Sequence, residues 1–157
     1  MTWVRQVIII TTTAALAAVV HFFVAPPSFK RVDREAPKIW VEDGVFENSG
    51  LRFVTLDRAA ELHDDPLVCF VDASDSQDFA AGHIARALHV PVESVSDGSL
   101  PQNVLSYSPV MTLVVYCATG CNVSAIVAER LIEMGFDKTL IMDGKFADWR
   151  DAGYPVE

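Results

Sequence analysis

The feature that most constrains this chain is a pair of short apolar runs, LVCFVDA at 67–73 and TLVVYC at 112–117. Each has strand length and lacks the polar alternation of a strand with one wet face, so each reads as a central strand covered on both sides. A sheet built from such strands is parallel and needs helical crossovers. The sequence supplies them. Strands are predicted at 51–54, 68–72, 87–90, 112–116 and 139–142, and helical spacing occurs at 57–63, 76–81, 124–134 and 145–152. In the third helix Ile126, Val127, Leu131 and Met134 form an apolar stripe, and Gly135 stands where a glycine ends a helix. The fold class is α/β with a mainly parallel sheet.

Composition narrows the partners. The 157 residues are 51% hydrophobic and 21% charged, as in a folded domain with room for one core and an appendage. A net charge of -9, with 12 basic residues scattered along the chain, offers no footprint for a phosphate backbone, so nucleic acid is not an expected partner. Three cysteines are too few for a disulfide scaffold and leave at least one thiol free within the chain. Cys117 and Cys121 lack the spacing of a structural zinc site, and no metal or cofactor is expected.

Residues 7–25 carry no charge, enough for roughly 28 Å of helix against a hydrocarbon core of about 30 Å. They read as an uncleaved single-pass anchor within 1–25, because Phe22, Phe23 and Val24 lead into Pro26 and Pro27 where a cleaved signal would end in small residues. Lys30, Arg31, Arg34 and Lys38 after the span favour a cytoplasmic domain, while short N-terminal anchors often insert with their leading residues inside; both orientations stay open. Residues 26–50, with three prolines and two glycines and no sustained periodicity, read as a tether that packs through Trp40 and Phe46. The folded domain is then 51–157.

In a parallel sheet the functional crevice lies beyond the carboxyl ends of the strands. Cys117 follows the 112–116 strand directly, and Ala118, Thr119, Gly120, Cys121, Asn122 and Val123 lead into a helix opening near Ser124. Gly120 permits a tight curl, small Ala118 and Thr119 leave backbone N–H groups accessible, and Ser124 is placed to cap the helix. Such a cradle favours a thiolate, a persulfide or a bound oxyanion through the same donors. Cys69, inside its strand, reads as core.

Three blocks, in order, resemble the rhodanese family: FVDASDSQDFAAGHIARALHVP, VVYCATG and LIEMGFDKTLIMDGKFADWRDAGYPVE, within about 52–157. The resemblance implies a five-stranded parallel sheet flanked by helices, and a cysteine that takes sulfane sulfur from a donor such as thiosulfate and hands it to a nucleophile. It makes Cys117 the persulfide-forming residue and 118–124 the substrate-binding loop, with mainly structural roles for Asp72, His83 and Trp149. This sequence departs from the pattern in places. The loop is one residue longer than usual and lacks the arginine that commonly closes it, Ser74 stands where a basic residue is common, and Arg86 replaces a usual glycine. Loss of a charge-assisted contact of about 1.5–3 kcal/mol predicts weak turnover with a dianion. Related phosphatases need an arginine clamp, and no Arg or Lys lies between Cys117 and Arg130.

The expectation is a membrane-anchored rhodanese-like sulfurtransferase, its partners a small sulfur donor or a persulfide-carrying protein. Two alternatives stand beside it. One is a binding module on the same fold; the other is a thiol-disulfide protein in which Cys121 resolves a persulfide on Cys117. A spacing of four residues allows that pairing and equally allows Cys121 to fill space.

Overall fold

The computed structural model describes residues 38–96, 102–107, 109–119 and 122–157. The expected span at 7–25 lies outside the described residues, as do Gly120 and Cys121. Among the described residues no helix is long and apolar enough to cross a membrane.

The strands are β1 (Ile39–Glu42), β2 (Val45–Asn48), β3 (Leu51–Thr55), β4 (Val68–Asp72), β5 (Leu88–His89), β6 (Thr112–Tyr116) and β7 (Thr139–Asp143). The helices are α1 (Leu56–Leu62), α2 (Ser76–Ala81), α3 (Val92–Val95), α4 (Gln102–Leu105), α5 (Val123–Glu133) and α6 (Phe146–Asp151). The strands form one sheet in the order β1-β2-β3-β7-β6-β4-β5. From β3 to β5 every pairing is parallel. The expected mainly parallel α/β sheet is therefore present, with each strand boundary within two residues of its predicted place.

The sheet is wider than five strands. Residues 39–48 form an antiparallel hairpin that continues the sheet beyond β3, where a tether was expected over 26–50. Phe46, 1% exposed, stacks on Phe53 across the register at 5.4 Å between ring centroids. Burying such a side chain contributes about 1.5–3 kcal/mol toward holding the strand in place. Trp40, the other expected contact, lies edge-on to Phe46 at 5.3 Å and stays mostly exposed. The hairpin turns tightly at Gly44, whose φ is +69° and whose backbone passes so near α1 that an added Cβ would lie 2.5 Å from the Arg58 Cβ. Only glycine fits there.

The two-residue period of β6 divides the core. Leu113, Val115 and Cys117 face one side, packed with Val127, Ala128 and Leu131 of α5. Val114 and Tyr116 face the other, with Phe70 and Trp149. Helix α5 ends as expected at Gly135, in the left-handed region at φ +98°. The Phe136 N–H reaches back to the Leu131 carbonyl and the Gly135 N–H to that of Ile132, satisfying two terminal acceptors.

Arg86 also has a left-handed backbone, at φ +67°, which explains why glycine is usual there. Its side chain offsets the strain. The guanidinium donates to the His63 carbonyl at 2.7 Å and to His63 Nδ1 at 3.1 Å, while Nε2–H of that buried ring donates to the Ala85 carbonyl at 3.0 Å. These bonds pin the loop before β5 to the end of α1. For L-residues the left-handed conformation costs about 1–2 kcal/mol. Arg86→Ala keeps that cost and loses the bonds, whereas Arg86→Gly loses both. Urea unfolding is expected to place Arg86→Gly above Arg86→Ala by about 1 kcal/mol, and the opposite order would show that the backbone there is unstrained.

Candidate active site

Parallel pairing sets Val115 against Val71 and Tyr116 against Asp72, so Cys117 emerges beside the turn that leaves β4. The turn holds the loop. Ala118 N–H donates to Ser74 Oγ at 2.8 Å, and Ser74 N–H donates to Asp72 Oδ1 at 2.8 Å. His89 Nε2–H donates to the Ser74 carbonyl at 2.9 Å, and on the far side of the loop Phe146 N–H donates to the Cys117 carbonyl at 3.2 Å. Cys117 is thus clamped between β4 and the start of α6, with 2% of its surface exposed. Ser74, where a basic residue was the expected pattern, serves as an acceptor, and the first amide of the expected cradle is engaged by it. Nothing in a linear reading pairs residues 44 positions apart.

Behind the turn Asp72 is buried, with only 1% exposed. Tyr116 lies beside it, its hydroxyl accepting from Ile84 N–H at 2.9 Å. Burial first, then the Asp72 charge, pushes the phenol far above its ordinary range, so Tyr116 stays protonated and serves as a buried donor. His83 points elsewhere: Nδ1–H donates to the Phe79 carbonyl at 3.0 Å, the ring stacks on Phe79 at 3.8 Å, and Nε2 lies 3.7 Å from a Glu157 carboxylate oxygen. Trp149, fully buried, donates from Nε1 to the Pro155 carbonyl at 2.9 Å. These three residues therefore build the scaffold, as the sequence suggested.

In the loop itself, Thr119 and Asn122 are exposed, Val123 is half-buried and Ser124 is buried. The expected capping role of Ser124 is corrected. Helix α5 begins at Val123, Asn122 occupies the cap position without a side-chain bond, and Ser124 sits inside the first turn. Beside the loop opens a cleft of about 280 Å³, bordered by Thr119, Asn122 and Ser124 and walled on the far side by Phe46 and Asn48 of the hairpin. Lys38, Lys145, Asp143 and Asp148 bring charge to it. Sequence reading named Phe46 only as a packing contact and Lys38 only as a charge after the span, and placed neither of them, nor Asn48 or Lys145, at a site, because three separate segments converge there; a short DG turn at 43–44 was the one local signal. Among the described residues no group of His, Cys, Asp and Glu is arranged to hold a metal.

A mostly parallel sheet flanked by helices, with a buried thiol at the carboxyl end of the middle strand of its parallel part, is the architecture of the rhodanese-like domains. The rhodanese-like domain model matches residues 55–152 of this chain. The thiosulfate sulfurtransferase GlpE of Tolumonas auensis is 32% identical over 102 residues, spanning 65% of this chain and 90% of that protein. That of Pseudomonas putida GB-1 is 40% identical over 101 residues, 64% and 86% of the two chains. Among solved structures, a Rhodopseudomonas palustris protein of unknown function, described as a possible tyrosine phosphatase, superposes with a TM-score of 0.59 at 27% identity, covering 69% of this chain and 86% of that one. A rhodanese-related protein of Thermoplasma volcanium shares the fold at 21% identity and a TM-score of 0.55, covering 67% and 96%. The chain belongs to the rhodanese-like domain family.

Cys69, the other described cysteine, is core as expected. Burial pushes its thiol up to about 11, with the Tyr107 hydroxyl acting weakly in the opposite sense. The native state therefore holds this proton longer than the unfolded chain does. The associated stability, on the order of 2 kcal/mol, is present in full below pH 9 and is lost as pH rises toward 11. Urea unfolding of wild type and Cys69→Ala at a series of pH values is expected to show the difference between them shrinking over that interval; a pH-independent difference would contradict the assignment.

Proposed function

We propose that the protein is a membrane-anchored sulfurtransferase in which Cys117 carries sulfane sulfur as a persulfide. The observation that carries the reading is the position of Cys117, clamped at the carboxyl end of β6 by the Ser74 and Phe146 contacts, in a chain 32% to 40% identical to thiosulfate sulfurtransferases. The Cys117 thiolate attacks the outer sulfur of the donor, the donor's S–S bond breaks, and with thiosulfate as donor sulfite leaves with the bonding pair. An acceptor thiolate then attacks the terminal sulfur of the protonated persulfide, which returns Cys117 as thiolate. No external oxidant enters the cycle. Residues 7–25 hold the domain at a membrane, where the donor is a small sulfur compound or a persulfide-carrying protein and the acceptor is a thiol or other nucleophile.

One observation favours the binding-module alternative: edge strand β1 exposes Ile39, Trp40 and Val41 in succession, each more than half uncovered. Mass spectrometry of the purified, fully reduced full chain after incubation with thiosulfate separates the readings. The expected outcome is a gain of one sulfur, present in Cys121→Ser and absent in Cys117→Ser. Loss of two hydrogens that needs both cysteines would replace the reading with a dithiol redox one, and no change in mass would leave the binding module. Partition of the full chain into the detergent phase, lost when 1–25 is removed, is the matching check on the anchor.

A further inference from the structure

The outer edge of the sheet departs from the usual pattern. Edge strands are ordinarily blunted by charge or proline, yet β1 exposes Ile39, Trp40 and Val41 in succession, each by more than half. Among the described residues six large apolar side chains are exposed, and half of them lie in this one strand of four residues. A run of that kind marks a surface for contact with another phase or partner. Phe46 holds the Trp40 ring edge-on and leaves most of it outside.

Three features select the occupant. A further strand fits poorly, because the register shifts between Trp40 and Glu42 and spoils a continuous ladder. A second copy meets like charge: residues 39–157 carry nineteen acidic side chains against seven basic ones. In the anchored reading the bilayer is always within reach. Only residues 26–37 separate the uncharged run 7–25 from Lys38, at most about 43 Å of extended chain. A tethered contact forms at high effective concentration, so a modest apolar patch suffices. Charge fits the same approach. Lys30, Arg31 and Arg34 outnumber Asp33 and Glu35 before the strand, and at its far end Glu42 is paired with Arg52 at 3.1 Å.

We propose that the β1 edge is a second membrane contact, in which Trp40, with Ile39 and Val41, seats in the headgroup region of the bilayer that residues 7–25 enter. The assignment rests on the anchored reading. Depth is set by the backbone. An edge strand carries unpaired N–H and C=O groups that hydrocarbon cannot satisfy, whereas water and phosphate at headgroup level can, and tryptophan favours that same depth. Lys38, bonded to Asp143 at 2.6 Å, borders the cleft beside the Cys117 loop, so seating β1 keeps one rim of that cleft next to the bilayer. The exposed edge then needs no protein partner.

Tryptophan fluorescence of the full chain tests this. The chain has three tryptophans, of which Trp149 is fully buried, so in a Trp3→Phe background quenching by lipid reports Trp40. That chain is reconstituted into vesicles of phosphatidylcholine with about a quarter phosphatidylglycerol, plain or brominated near the headgroup end of the acyl chains. Fluorescence is expected to fall in the brominated vesicles. Ile39→Ser together with Val41→Ser, both at exposed positions, should remove most of that loss while Trp40 is still present and the chain still floats with the vesicles. Quenching that the double substitution leaves unchanged would overturn the assignment, since the tether alone would then explain it. Equal brightness in both vesicles from a chain that floats would also overturn it and leave the anchor standing; Trp40 emission that then shifts with the protein-to-lipid ratio would give the edge to a second copy, and steady emission to neither. A chain that does not float overturns the anchored reading, and this assignment with it.

Discussion

Strand β6 is paired on both sides and covered on both faces, with Leu113, Val114, Val115 and Tyr116 all fully buried. Such a strand has no freedom to slide, since a one-residue slip would exchange its two faces and drive Tyr116 into the α5 layer. Everything at its carboxyl end inherits that register. Cys117 faces the α5 side by parity, the Tyr116 hydroxyl reaches Ile84 N–H on the other, and Ala118 comes within hydrogen-bond distance of Ser74. The loop that follows starts from a fixed point.

The turn after β4 works by satisfaction of polar groups. A buried carboxylate such as Asp72 costs several kcal/mol unless donors surround it. Ser74 N–H is one donor, and the Tyr116 hydroxyl, held protonated by its surroundings, is a second. With its own amide committed to Asp72 and its carbonyl to His89, Ser74 has only its hydroxyl left to meet Ala118. The chain of bonds runs from the core to the first residue of the loop without using a charged side chain at the thiol. A serine at this point thus supports the loop through a neutral hydrogen bond.

The parallel strands and their helices were legible because uninterrupted apolar runs and 3.6-residue stripes are long-lived signals: β4, β6 and α5 sit where the pattern puts them. The hairpin was not legible. Each of its strands has four residues, too few for a period to emerge, and IWVE is exposed throughout, so its apolar residues report an edge rather than a core. Its turn glycines read equally well as linker residues. Cys117 and its loop were singled out as a candidate site from position, since the carboxyl end of a central strand is informative in any parallel sheet. Ser74, Asn48 and Lys145 were out of reach because their roles exist only after the sheet has assembled and set distant segments side by side.

The two described thiols show what that assembly does to one residue type. Cys69 and Cys117 lie on the same face of the same sheet, both nearly inaccessible. Since β4 and β6 run parallel with Cys69 opposite Leu113, they stand at opposite ends of the strands, separated by four residues of rise, about 13 Å. At the amino end Cys69 meets mainly side chains, and burial alone pushes its proton affinity up. At the carboxyl end β6 leads into the loop before α5, and Phe146 N–H at the start of α6 donates to the Cys117 carbonyl. Direction of the chain, more than residue type, is what sets one thiol at the amino end of the sheet and the other at the loop beyond its carboxyl ends.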